Sequence, residues 1–150
     1  MTARKSPENL IPLIRETGRA MVAQLIERLH AAGYPEITGA HHPLFENIDF
    51  EGTRMTVLAA RAGTTHQSMG ELVQSLEARG YVVRRPDPAD GRARLVRLTP
   101  SGRRLVRRAL LEMKRIEREW QQAWRSAGFK GNVATVLRKA LDDRSAGREK

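Results

Sequence analysis

A chain of 150 residues with a net charge of +10 and no cysteine is expected to fold as one domain, with a sizeable core if a partner covers its extra helices. The missing cysteine excludes disulfides, thiol redox sensing and thiolate metal ligation. No apolar run approaches the ~20 residues needed to cross a bilayer, and Met1 to Glu8 lacks the apolar core of a signal peptide, so a cytoplasmic protein without a membrane partner is expected.

At the N-terminus, Ser6-Pro7-Glu8 reads as a helix start, with Ser6 as the cap and Pro7 at the first helical position. The helix should reach about Ala32, and Leu10, Leu13, Ile14, Met21, Val22, Leu25, Ile26 and Leu29 give it a broad apolar face. After Gly33-Tyr34-Pro35, the segment Ile37 to Phe50 reads as a connecting helix. Neighbouring histidines on a helix point about 100° apart. His41 and His42 therefore do not converge, His30 and His66 add no ligand spacing, and no metal site is expected.

Residues 53–99 carry the densest information. Thr53 is expected to cap a helix whose Met55, Leu58, Ala59 and Ala62 fall at i, i+3, i+4 and i+7, one buried stripe. Gly63 supplies the positive φ that lets the chain leave this helix, and Thr64 or Thr65 can cap the next one. There Met69, Leu72, Val73 and Leu76 repeat the spacing and face inward. Thr65, His66, Gln67, Ser68 and Glu71 occupy the first turn and the opposite face, with hydrogen-bonding groups suited to base edges and phosphates.

Gly80 closes the second helix. Tyr81 to Arg85 then reads as a strand, Pro86 to Gly91 as a turn-rich loop, and Arg94 to Leu98 as the returning strand, with Val96 and Leu98 on one face and Arg97 on the other. Between Arg79 and Arg108 stand ten arginines against two acids, Asp87 and Asp90. Most of the chain's positive charge thus sits in the hairpin and the helix start after it, the footprint of a surface that replaces counterions on a polyanion. Arginine forks to phosphate and enters narrow minor grooves better than lysine.

Thr99-Pro100 opens a long helix in which Val106, Ala109, Met113, Ile116, Trp120, Ala123 and Ala127 recur at three and four residues, the period of a packed seam. Trp120 and Trp124 are expected in core or interface packing. Gly128 to Gly131 break the seam, Val133, Val136, Leu137, Ala140 and Leu141 form a closing helix, and the polar tail Asp142 to Lys150 is expected to fray. A single helix-turn-helix lobe is too small to cover apolar faces at both termini, so a second copy is the expected cover.

The run Gly70 to Val82, then Arg84-Arg85-Pro86-Asp87-Pro88-Ala89-Asp90-Gly91-Arg92 and Leu98-Thr99-Pro100-Ser101-Gly102, closely resembles the MarR family of bacterial transcription regulators. Its specific parts are the Asp-x-Arg wing and the Leu-Thr-x-x-Gly that opens a long helix. The resemblance implies a mainly α fold with a small β-hairpin wing. In it, one MarR-like domain (1–150) carries a winged helix-turn-helix DNA-binding lobe at about 53–99, flanked by dimerisation helices at about 6–33 and 100–143. It further implies a sequence-specific regulator of double-stranded DNA, acting as a homodimeric, ligand-responsive repressor on a pseudo-palindromic operator.

By the same resemblance Arg92 is the wing-tip arginine of the minor groove, Asp90 orients its guanidinium or braces the turn, and Thr65 to Ser68 begin the recognition helix. The expected DNA-binding set is Thr64, Thr65, His66, Gln67, Ser68, Arg84, Asp90, Arg92 and Arg94. His66 and Gln67 stand where small serine or threonine residues are common, so no operator sequence is implied. An aromatic or phenolic effector would meet Tyr34, His41 and His42; no cofactor is expected.

The chain has no Gly-x-Ser-x-Gly elbow, phosphate-binding Gly-rich loop or His-Glu-x-x-His motif, so catalysis is not expected. A non-specific architectural DNA binder would share the arginine excess but need no base readout.

Overall fold

The computed structural model describes residues 9–146. These residues fall into two compact units, divided between Glu112 and Met113.

In the first unit α1 spans Leu10–Ala31, with Asn9 extended at its cap position but making no side-chain cap bond. The expected start at Ser6, Pro7 and Glu8 lies outside the described residues. Leu25 and Leu29 carry the buried end of the α1 stripe, while Leu10, Ile11, Leu13 and Ile14 are exposed.

The continuous helix expected over Ile37 to Phe50 is not formed. A 3₁₀ turn, Gly39–His41, is followed by the short α2, His42–Asn47. Thr38 supplies the reason: its amide donates to His41 Nδ1 at 3.1 Å, closing a local cap, and Pro43 in the first turn has no amide to continue the preceding turn.

Thr53 does not cap the next helix. Its hydroxyl accepts the Asp49 amide at 2.8 Å and donates to Asp49 Oδ2 at 3.1 Å, and its backbone joins β1, Thr53–Arg54. Arg54 takes the cap position of α3, Met55–Arg61. Gly63 leaves that helix at φ 61°, and Thr65 rather than Thr64 caps α4, His66–Ala78, its Oγ1 accepting the Ser68 amide at 3.1 Å. Leu58 and Ala59 of α3 pack inward with Met69, Val73 and Leu76 of α4, all buried. Removing each such large side chain from water contributes about 1.5–3 kcal/mol.

β2 (Val82–Asp87) and β3 (Asp90–Leu98) form the wing. The sheet is antiparallel in the order β1-β3-β2, with Thr53 opposite Val96 and Val82 opposite Leu98. The strands run further than the sequence suggests, and the loop expected from Pro86 to Gly91 shrinks to Pro88-Ala89. Pro86 is tolerated because β2 is an edge strand, and the register shifts between Pro86 and Asp87.

Thr99 then starts α5, Pro100–Ser126. Its Oγ1 accepts the Gly102 amide at 3.1 Å and donates to Gly80 O at 2.6 Å, while its own amide donates to Tyr81 O at 3.0 Å. Gly102 is required here, since a Cβ would overlap the Tyr81 carbonyl oxygen. Buried Glu112 of α5 pairs with Arg108 at 2.9 Å and with Arg28 of α1 at 3.7 Å.

The second unit holds the end of α5 and α6, Val133–Ala146. The Trp120 and Trp124 rings lie 5.8 Å apart at 52°. Gln121 bridges the turn, donating to Gly131 O at 2.6 Å and accepting the Val133 amide at 3.3 Å. Asn132 Oδ1 accepts the Thr135 amide at 3.0 Å, a cap that sets the start of α6. Within the expected frayed tail, residues 142–146 are helical, and 147–150 lie outside the described residues. Val136, Leu137 and Leu141 are exposed. No helix among the described residues is long and apolar enough to cross a membrane.

Candidate nucleic-acid interface

The inward pull of Met69, Val73 and Leu76 turns the opposite side of α4 outward. His66, Gln67 and Ser68 in its first turn are exposed, as is the capping Thr65, while Thr64 is half-buried. The Thr65 hydroxyl also donates to Ser68 Oγ at 2.9 Å. The Gln67 carboxamide lies 3.4 Å from Glu71 Oε1, a long contact that leaves it able to turn to another partner.

On the wing, Arg92 and Arg94 are exposed. Neither guanidinium has a side-chain partner among the described residues. Asp90 Oδ1 accepts the Arg92 amide at 3.1 Å. Arg84 is committed differently: its Nη2 reaches Gly70 O at 3.4 Å, its Nε lies 3.7 Å from Glu77 Oε2, and its amide donates to Glu77 Oε1 at 3.0 Å. That guanidinium ties β2 to α4, and its Nε is buried without a hydrogen-bond partner.

His66, Arg84 and Arg94 line one cleft of about 580 Å³, together with Gly70 and Arg54. Arg54 was not singled out from the sequence. Its Nη2 and Nε lie 2.6 and 2.7 Å from Asp87 Oδ2. The Ala89 amide, and then the Arg54 guanidinium, hold the Asp87 carboxyl below the usual carboxylate range. Only an aspartate at a turn hinted at this.

The residues expected to meet an effector do not come together. Tyr34 leans on Tyr81, ring centres 6.3 Å apart, and the Tyr81 hydroxyl donates to Glu36. Burial and that carboxylate push the Tyr81 hydroxyl pKa up to about 12. His41 is 5% exposed, its Nδ1 accepting the Thr38 amide at 3.1 Å and its Nε2 3.1 Å from Ser75 Oγ. His42 is half-buried, its Nδ1 3.5 Å from Glu46 Oε2, and lines a cleft of about 640 Å³ with Arg15, Arg19, Val22 and Ile26. Among the described residues, no group of three or more His, Cys, Asp or Glu could hold a metal ion.

Residues 36–93, which hold the turn after α1, the helix-turn-helix and most of the wing, match the model of the MarR family. Over that stretch the chain is similar to the MarR family. An HTH-type transcriptional regulator of Mycobacterium tuberculosis is 38% identical over 85 residues, 57% of this chain and 56% of that protein. The matched stretch thus spans little more than half of that relative. Two solved structures share the fold along almost the whole chain. CouR from Rhodococcus jostii RHA1, bound to p-coumaroyl-CoA, has a TM-score of 0.71 at 24% identity and covers 95% of this chain and 94% of its own. PcaV from Streptomyces coelicolor, in complex with its natural ligand, has a TM-score of 0.67 at 24% identity, with both chains covered completely. The six helices and small antiparallel sheet among the described residues share the fold of these structures, and the exposed α4 turn and Arg92 lie within the stretch that matches the family model.

Proposed function

We propose that the chain is a sequence-specific regulator of transcription that binds double-stranded DNA. The observation that carries this reading is that one lobe exposes both the first turn of α4, with His66, Gln67 and Ser68, and the unpartnered arginines Arg92 and Arg94 on its wing. A helix end with donors and acceptors reads base edges in the major groove, and arginine on a hairpin follows the neighbouring backbone or minor groove.

The working form is a homodimer. Leu10, Ile11 and Ile14 of α1, and Val136, Leu137 and Leu141 of α6, are exposed apolar residues that a second copy would cover. Two-fold symmetry would set the two recognition helices about 34–36 Å apart on a pseudo-palindromic operator, and an operator overlapping a promoter makes the protein a repressor. An effector would enter the cleft beside His42, which Arg15, Arg19, Val22 and Ile26 of α1 also line. Cations beside apolar side chains suit an aromatic or phenolic acid, and the similar CouR structure is bound to p-coumaroyl-CoA.

The test is affinity for duplex DNA upstream of the protein's own gene against a random duplex of equal length. A regulator should favour its own site by about 10³ or more. Equal affinities would make the protein a non-specific architectural binder, and no binding to either would remove the DNA reading.

A further inference from the structure

The outer part of the wing has little in its own ladder to hold it. β1 reaches only Val96 and Leu95 of β3, so from the Pro86–Arg94 pair outward the wing has no third strand, and a lone two-stranded ribbon is marginal in water. Pro86 contributes no amide to that ladder. After Pro86 opposite Arg94, the next pair is Asp87 opposite Asp90, which leaves Gly91, Arg92 and Ala93 unpaired with β2. Backbone pairing therefore does not fix Arg92.

A side-chain link does reach the tip. Asp87, at the end of β2, is only 8% exposed. Its Oδ1 accepts the Ala89 amide at 2.9 Å and closes the turn, and its Oδ2 accepts Arg54 Nε at 2.7 Å, with Arg54 Nη2 at 2.6 Å. Arg54 belongs to β1, on the opposite edge of the sheet, one residue before α3. Its side chain spans the middle strand, and Nη2 also lies 4.0 Å from Asp90 Oδ2. The base of the helix-turn-helix and the tip of the wing are thus joined by one guanidinium.

We propose that Arg54, through Asp87, is the positioning residue that holds the wing arginines Arg92 and Arg94 in place against the first turn of α4. Its use in DNA binding rests on the function proposed above, whereas the latch itself belongs to the free protein. Arg54 acts through the carboxylate and not as a phosphate contact.

The test uses the full chain with Arg54→Ala and Asp87→Asn; the asparagine keeps an oxygen for the Ala89 amide and removes only the ion pair. Without DNA, each variant should speed hydrogen exchange at the Ala89 and Arg92 amides by about tenfold while Val73 and Leu76 of α4 stay protected. Unchanged exchange at the tip, or acceleration spread through α4, overturns the proposal. On the duplex upstream of the protein's own gene, each variant should bind about tenfold more weakly with the salt slope kept, the double variant no worse than either single, and the swap Arg54→Asp with Asp87→Arg should recover part of the loss.

Asp87→Asn decides most sharply, because taking a negative charge from a lobe that grips a polyanion should by charge alone tighten binding. Tighter or unchanged binding by Asp87→Asn overturns the proposal. So does an Arg54→Ala effect that lowers the salt slope by about one while Asp87→Asn has none, since Arg54 would then touch phosphate. Failure of the wild type to bind any duplex would end the proposed function, and the exchange comparison would still decide the latch.

Discussion

Gly102→Ala sets two effects of opposite sign against each other. Gly102 lies in the first turn of α5, where alanine should stabilise a helix by about 1 kcal/mol over glycine. The structure gives the larger opposing effect. A Cβ there would overlap the Tyr81 carbonyl oxygen and press within 3.2 Å of Leu98 Cδ2. The first of these neighbours is backbone, so no rotamer change relieves it. Overpacking of this kind costs about 1–3 kcal/mol. Moving the Tyr81 carbonyl also strains the bonds it accepts from the Thr99 amide at 3.0 Å and the Thr99 hydroxyl at 3.2 Å, a further ~0.5–1.5 kcal/mol. The balance is a loss of about 2 kcal/mol, which for a chain of this size lowers the thermal midpoint by roughly 4–8 °C. Thermal unfolding followed by circular dichroism measures it. A midpoint unchanged or raised would show that helix propensity governs this site and that the close approach is not real.

Other outcomes follow from the site. Arg92→Ala should weaken DNA binding and lower the salt slope by about one with little change in thermal midpoint, because its guanidinium has no side-chain partner among the described residues; a large loss of stability would refute a DNA-contact role. Gln67→Ala should relax preference at one position in each half-site, at about 1–3 kcal/mol, in binding to a library of operator variants; uniform weakening would make it a phosphate contact. Burial, and then the Arg79 charge, hold the His41 pKa below its ordinary value. His41 is therefore neutral in the fold, and its stabilisation is complete above the unfolded-state pKa of about 6.5 and lost as pH falls from there through the folded value. Urea unfolding at a series of pH values should show this loss in the wild type and not in His41→Gln; equal acid sensitivity would count against it.

What could be read from the sequence was local. The Met55, Leu58 and Ala59 spacing, the Met69, Val73 and Leu76 spacing, and Gly63 between them describe neighbours within one or two turns, and the two helices follow. The part Thr53 plays is not local: its β partner, Val96, is far along the chain, and its hydroxyl closes a loop onto Asp49 that competes with capping. Arg54 was passed over for the same reason, its carboxylate partner lying 33 residues away. The arginine count located the basic surface but not its division of labour. Arg97 donates to Glu51 O at 2.9 Å, and Arg103 donates to Phe50 O at 3.0 Å while standing 5.9 Å above the Phe50 ring. These cations hold the fold together, and only the structure separates them from Arg92 and Arg94.

The outer strand of the wing also bears on how the protein stays apart from its neighbours in a crowded solution. An open sheet border with a full row of amides would recruit foreign strands and seed aggregates. Here that border carries a proline, two consecutive arginines and a break in its pairing. A projection that must remain uncovered until it meets its target is thereby made a poor template for other polypeptides, and replacing Pro86 with a β-branched residue would trade that reserve for stickiness.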